Sequence, residues 1–419
     1  MNILYLCNEY TAELNGGIGT VVKTEASSLI KRGHKAFVAG TYLDTPEPPA
    51  YEKTEDGLSI IRWNNRDYRT AEIGLLTALS ELLVTLHLRF LAKRLETRKC
   101  IAMFKQTVRL VNELVRSEHI DLIEMPDYYD DFYRNPFIVP KIAFTAPVII
   151  RVHGSVSFIL HHSNGNVPKR ILEADRSLFA MADGISAVSE FSRRFVTDHL
   201  SALNQQVDVI YNPLEDHLFE QTTDQLSSFS PSKRKCPQDG VVSILFIGKI
   251  NEAKGVYSII RAFNRLAEVH PDVHLRIIGE GDIPRAQSMV KYPERVHFTG
   301  YLHRDKVIEE IDNAAFCVLP SYFENFSMAA LEVLARRRAL IYTNRASGAE
   351  LIEDGIDGLL IDPDNIDQMA EKMEQLLNDA DFRDRLAENG YAMCRRRFST
   401  EVIVPQIEQY YQKIVKGDQ

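Results

Sequence analysis

Long apolar runs are missing from this sequence. Nowhere do its 419 residues approach the ~20 uncharged apolar residues that span a bilayer. The amino terminus, Met1 to Glu9, has no basic region ahead of its short apolar run, so it reads as a first buried strand rather than a signal peptide. Cysteine is scarce. The five (Cys7, Cys100, Cys236, Cys317, Cys394) are far apart and odd in number, which argues against a disulfide framework or a zinc site and fits a reducing cytoplasm. A basic surplus is also lacking: a net charge of −9 speaks against sequence-independent nucleic-acid binding. No internal repeat of fixed short period is present.

What is there is a soluble globular composition, 45% hydrophobic and 26% charged, in a chain long enough for two domains of roughly 200 residues. Charge is unevenly placed. Residues 1–200 hold 24 Lys+Arg and 24 Asp+Glu, so the remainder carries the whole negative balance; within the neutral half, residues 62–116 hold 11 basic and 5 acidic residues. In that basic stretch, Leu75, Leu79, Leu82, Leu86 and Phe90 fall on one helical face, Val84, Leu88, Leu91 and Leu95 extend a second, and Arg89, Lys93, Arg94, Arg98 and Lys99 lie among and after them. Residues 72–99 therefore read either as a helix lying on an anionic leaflet or as a hairpin packed on its own sheet or a second subunit.

Short runs rich in Ile, Val and Leu alternate with helix-like segments from end to end, the pattern of parallel α/β architecture. They begin with Ile3–Cys7, Ala36–Ala39, Ser59–Ile61, Leu122–Glu124, Val148–Val152, Gly184–Val188 and Val207–Tyr211. They continue with Val242–Ile247, Val273–Ile278, Val296–Thr299, Phe316–Leu319, Ala339–Thr343 and Leu359–Ile361. The Ser/Thr- and Pro-marked stretch before Gly240 interrupts them. The expected organisation is a doubly wound domain over 1–212, a linker over 213–240, a second doubly wound domain over 241–397 and an amphipathic final helix over 398–419. Ligands of such sheets bind beyond the carboxyl ends of the strands, so a site in a cleft between the domains is expected.

Four constellations follow strands, as that rule requires. Asn15-Gly16-Gly17-Ile18-Gly19-Thr20 opens a helix-like run; glycines there let amides approach a phosphate or sugar oxygen, or simply make a turn. The spacing is not the Gly-x-Gly-x-x-Gly of dinucleotide binders. Arg151-Val152-His153-Gly154 places a histidine where it reaches a ligand, or where it is structural. Lys249 and Lys254, in Gly248-Lys249-Ile250-Asn251-Glu252-Ala253-Lys254-Gly255, suit a diphosphate, though loop lysines are often just solvated. Most specific is Pro320 through Ala335, with Glu324 in the loop and Glu332 in an otherwise apolar helix. A carboxylate there needs a hydrogen-bond partner, whether a sugar or ribose hydroxyl or a neighbouring loop.

Together these residues resemble glycosyltransferase family 4, the retaining group with the GT-B fold, over nearly the whole chain. The resemblance implies two Rossmann-like domains facing a central cleft, the first binding the acceptor and the second the nucleotide-sugar, with the last helix crossing back to the first domain. By the same resemblance Gly16 and Gly17 approach the donor phosphate and the acceptor, and His153 contacts the transferred sugar. Lys249 and Lys254 bind the diphosphate, and Glu324 holds a sugar hydroxyl. The amides of Asn325, Phe326 and Ser327 lie near sugar and phosphate, Glu332 accepts from the ribose, and backbone near Tyr301 and Leu302 pairs with the base. Lysine stands at 249 where the family usually has arginine, and serine at 327 where it often has glycine; neither change removes a charge.

The implied reaction needs neither a protein nucleophile nor a metal or other cofactor. Asp362-Pro363-Asp364 reads as a turn rather than a metal-binding triplet, and Asp127-Tyr128-Tyr129-Asp130-Asp131 as loop acids that could touch the acceptor. The expected partners are a nucleotide-sugar and a glycan or lipid-linked acceptor, in the cytoplasm or at the inner membrane face. A surface-polysaccharide or glycolipid pathway is the expected setting. The competing readings are a sugar-nucleotide epimerase, a phosphorylase of similar architecture, or a non-catalytic carbohydrate- or nucleotide-binding protein of the same fold.

Overall fold

Each of the short apolar runs forms a strand, and most of these strands are buried along their length. The structure, a computed structural model, describes residues 1–10, 17–41, 51–54, 56–64, 67–68, 70–127, 135–200, 206–220 and 242–417. The chain divides into two units, Met1–Pro213 with Ile403–Gln419, and Leu214–Val402.

The first unit is built on β1 (Asn2–Leu6), β2 (Lys35–Thr41), β3 (Tyr51–Lys53), β4 (Ser59–Trp63), β5 (Leu122–Pro126), β6 (Val148–Val152), β7 (Gly184–Ala187) and β8 (Val207–Val209). Their spatial order is β3-β4-β2-β1-β5-β6-β7-β8. All pairings are parallel except that of β3 with β4. The sequence pattern misses β3, because Tyr51-Glu52-Lys53 is a polar edge strand with no buried residue. Parallel neighbours demand crossovers, which bring helices over the sheet and bury β5 and β6 completely. Ile403, Val404, Ile407 and Tyr411, from the end of the chain, share one core cluster with Ile3, Tyr5 and Val38.

In the second unit β9 (Val242–Ile247), β10 (Val273–Ile278), β11 (Val296–Gly300), β12 (Phe316–Leu319), β13 (Ala339–Thr343) and β14 (Leu359–Ile361) lie in the order β11-β10-β9-β12-β13-β14. All are parallel, and the order is that of a Rossmann sheet, reversing direction between β9 and β12. The helix Val256–Val269 lays Ile259, Ile260, Phe263 and Leu266 against this sheet. Residues 214–220, assigned to the linker by sequence, belong to this unit. Leu214 bridges Ser399, and Asp216, opening a 3-10 turn at Asp216–Phe219, accepts from Thr400 Oγ1 at 2.6 Å. The rest of the expected linker lies outside the described residues.

Residues 72–99 are not one helix. The helices Ala71–Thr85 and Arg89–Glu118 pack on each other, and the chain turns between them with His87 at a φ of 59°. Leu86 and Phe90 thus do not continue the stripe begun by Leu75. Among the described residues, no helix is long and apolar enough to cross a membrane.

Candidate functional site

The loops after β9 and β12 flank the point where the second sheet reverses, and they hold most of the residues singled out from sequence. Asn251 Oδ1 accepts from the Lys254 amide at 3.0 Å, capping a short 3-10 turn, Glu252–Lys254. Gly255 ends that turn at a φ of 71°, and a Cβ there would lie 1.9 Å from the Pro320 carbonyl oxygen. Only glycine lets the two loops approach so closely. The Tyr322 amide then donates to the Ala253 carbonyl at 2.8 Å. The result is an ion pair between Lys254 and Glu324, with the side chains 30% and 17% exposed. Lys249 is exposed, and no described carboxylate is within ion-pairing distance of it.

The second loop runs into the helix Met328–Ala335 through Asn325, Phe326 and Ser327, all buried. Ser327 caps it, Oγ accepting from the Ala330 amide at 3.2 Å. Serine at this position therefore has a structural use that glycine lacks. Phe326 packs edge-on to Phe398, ring centroids 5.5 Å apart.

Glu332 is buried in that helix, and its partner is one the sequence reading missed. Arg304 Nε donates to Glu332 Oε1 at 3.1 Å, while Arg304 Nη1 reaches Glu215 Oε1 at 2.9 Å. Burial pushes the Glu332 carboxyl above its ordinary pKa, and Arg304 opposes that rise. Tyr301, exposed, and Leu302 lie between β11 and the helix Arg304–Asn313, so Arg304 links their segment to Glu332. The need for a partner was legible from a carboxylate among apolar residues; its identity, 28 positions away, was not.

The Asp362-Pro363-Asp364 triplet is indeed a turn. Arg345 Nη2 donates to Asp362 Oδ1 at 2.6 Å and to Asp364 Oδ2 at 2.5 Å, and Tyr322 donates to Asp364 Oδ1 at 2.9 Å. Among the described residues, no group of three His, Cys, Asp or Glu is arranged to hold a metal.

Gly17 and His153 belong to the other unit. Gly17 is the first residue of the helix Gly17–Lys31, and Gly16 lies outside the described residues. The glycine that sterics demand here is Gly19, where a Cβ would meet the Glu9 carbonyl oxygen at 2.6 Å. His153 follows β6, and its amide donates to Asp127 Oδ1 at 2.8 Å, joined by the Gly154 amide at 3.1 Å. Asp127 is fully buried and so positions the His153 backbone instead of facing an acceptor; residues 128–131 lie outside the described residues. Burial raises the Asp127 carboxyl to about 7 against the pull of those amides. Burial, then the nearby Arg151 cation, pushes His153 down to about 3, so its imidazole is neutral at physiological pH.

Residues 15–217 match the family Glycosyltransferase Family 4, and residues 232–393 match Glycosyl transferases group 1. The alpha-D-kanosaminyltransferase of Streptomyces kanamyceticus is 29% identical over 41% of this chain and 45% of its own length, so the chain spans less than half of that relative. The glycogen synthase of Mycobacterium tuberculosis is 21% identical over 100% of this chain and 96% of its own. Among solved structures, the sucrose-phosphate synthase of Thermosynechococcus elongatus superposes with a TM-score of 0.75 at 17% identity, over 100% of both chains. Two Rossmann-like sheets and these matches agree: the chain belongs to the group 1/family 4 glycosyltransferases and has the GT-B fold.

Proposed function

We propose that this glycosyltransferase moves a sugar from a nucleotide-diphosphate sugar to a hydroxyl of a glycan or lipid-linked acceptor. Transfer retains anomeric configuration, needs no metal, and serves surface polysaccharide or glycolipid synthesis in the cytoplasm. The observation that carries this reading is the Lys254–Glu324 pair, held at the reversal point of the nucleotide-binding type of sheet by the Gly255–Pro320 contact.

In the free protein each partner holds the other in place. When a donor arrives, its diphosphate takes over Lys254 and meets Lys249, and Glu324 turns to a sugar hydroxyl. The amides of Asn325, Phe326 and Ser327 open a helix and add a positive dipole end beside the phosphate. Glu332 accepts from the ribose through Oε2, since Arg304 uses Oε1; backbone at Tyr301 and Leu302 pairs with the base. Gly16 and Gly17 serve the phosphate and acceptor, and the neutral His153 donates to or accepts from the transferred sugar.

As the glycosidic C–O bond breaks, charge grows on the leaving diphosphate, where the two lysines stabilise it. The leaving oxygen then takes the acceptor's proton as that alcohol attacks the same face of the sugar. The test is a screen of UDP-, GDP- and ADP-sugars with EDTA present, reading released nucleoside diphosphate and the anomer of the product. Slow release from one donor, lost in Glu324→Ala and Lys254→Ala, is the expected outcome. An inverted product or an EDTA-sensitive reaction would refute retention or metal independence respectively.

A further inference from the structure

The turn between the helices Ala71–Thr85 and Arg89–Glu118 carries the densest set of exposed apolar side chains on the described surface. Leu82, Val84, Leu86, Leu88, Phe90 and Leu91 are each 45% exposed or more, and Phe90 reaches 73%. The hairpin is held together by its buried part, Ile73, Ser80, Ala92 and Cys100, with Ser80 Oγ donating to Glu96 at 2.8 Å. Its tip therefore stays folded while its apolar residues face water. A patch of this kind on a soluble surface marks an interaction site.

Charge says what the partner is. Residues 82–94 contain no Asp or Glu but include Arg89, Lys93 and Arg94. Arg94 lies over the Phe90 ring, 5.1 Å from its centroid. Beside the tip is a groove of about 460 Å³ whose walls include Phe90, Ile138, Lys93, Arg94 and Arg170. Its one acid, Glu173, is shared with Lys169 at 3.8 Å. Apolar side chains backed by cations, next to a groove with the same mixed lining, fit acyl chains below a layer of phosphates. A second copy of this chain fits poorly, because a two-fold contact would set the same cations against themselves.

We infer that the hairpin tip and its groove form a docking surface for an anionic lipid bilayer. The apolar tip enters the acyl layer while Arg89, Lys93, Arg94 and Arg170 meet headgroup phosphates. This surface shares no residue with the Lys254–Glu324 pair and belongs to the other unit, so its failure and that of the transferase reading are distinguishable.

The test is flotation of the full-length protein with vesicles of phosphatidylcholine alone or mixed about 3:1 with phosphatidylglycerol. Binding is expected to the anionic vesicles, weakening severalfold between about 0.1 and 0.5 M salt. Leu86→Ser with Phe90→Ser should lower binding more than tenfold. Lys93→Gln with Arg94→Gln should lower it by about fivefold per cation removed. All four side chains are exposed, so circular dichroism and the urea midpoint should match wild type; Arg170→Gln supplies an independent variant in another helix. Absence of binding to anionic vesicles, or binding indifferent to both double variants, overturns the inference. So does a dimer in sedimentation equilibrium that Phe90→Ser dissolves while no vesicle binding occurs.

Discussion

Two clusters of opposite charge, one in each unit, obey different rules. At the end of the second sheet Lys254 meets one carboxylate, Glu324, with water within reach of both. In the first unit Arg151 is 1% exposed and serves two carboxylates, Glu25 (0%) at 3.0 Å and Glu124 (4%) at 4.0 Å. Arg151 also donates to the carbonyls of Ile210 and Tyr211, both at 3.3 Å, and Tyr411 donates to Glu124 at 2.6 Å. Helix Gly17–Lys31, β5 and β6 thus meet on one guanidinium, and the chain's last segment joins them through Glu124. The partly exposed pair can exchange partners cheaply, as its proposed role in binding requires. The buried set cannot, because a charge left alone there has no water to solvate it. With two acids and one base, it is relieved by keeping a proton: burial raises Glu25 to about 8, Arg151 opposing and Glu124 reinforcing.

The largest effect should come from breaking the buried set. Arg151→Leu leaves two carboxylates without their cation and should cost about 3–5 kcal/mol in urea unfolding. A loss under about 1 kcal/mol would erase the contrast. The partly exposed pair should behave in the opposite way. Lys254→Ala or Glu324→Ala should lower turnover about 10²–10³-fold while stability moves by less than about 1 kcal/mol.

A pH series sharpens the comparison further. Unfolded, Glu25 releases its proton near 4.5; folded, it holds it to about 8. The stability this protonation contributes is therefore complete below about pH 4.5, declines as pH rises and is gone above about pH 8. Glu25→Gln stays neutral, so wild type should weaken relative to it across that window, by an amount on the order of a few kcal/mol. Parallel curves would mean that the cluster is fully ionised. Smallest of all, Tyr411→Phe removes one hydrogen bond to Glu124 and should cost about 1–2 kcal/mol by thermal or urea unfolding, with turnover retained.

Much of the candidate site was legible in advance because its signals are local. The glycine at 255, the lysines at 249 and 254, and Glu324 and Glu332 sit at fixed offsets from strand ends, and strand ends can be read from short Ile/Val/Leu runs. What escaped was pairing at a distance. Lys254 and Glu324 are 70 positions apart, and Arg151 and Tyr411 reach the same Glu124 from opposite parts of the chain. Asp127 looked like the first of several loop acids, yet burial makes it the anchor of His153. A hairpin was one of the two readings left open for residues 72–99, but the position of its turn at His87 was not legible, because Leu, Val and Thr on either side carry no turn signature.

The sequence by itself determined the class of fold and the candidate donor residues, since side-chain periodicity and glycine placement act over a few residues. The tertiary structure decided the rest. Sheet order set Gly255 against Pro320 and Lys254 against Glu324; burial chose which acids stay protonated; and the turn at His87 left an apolar tip in water. Those outcomes depend on distance and on local dielectric, which arise only when remote parts of the chain come together.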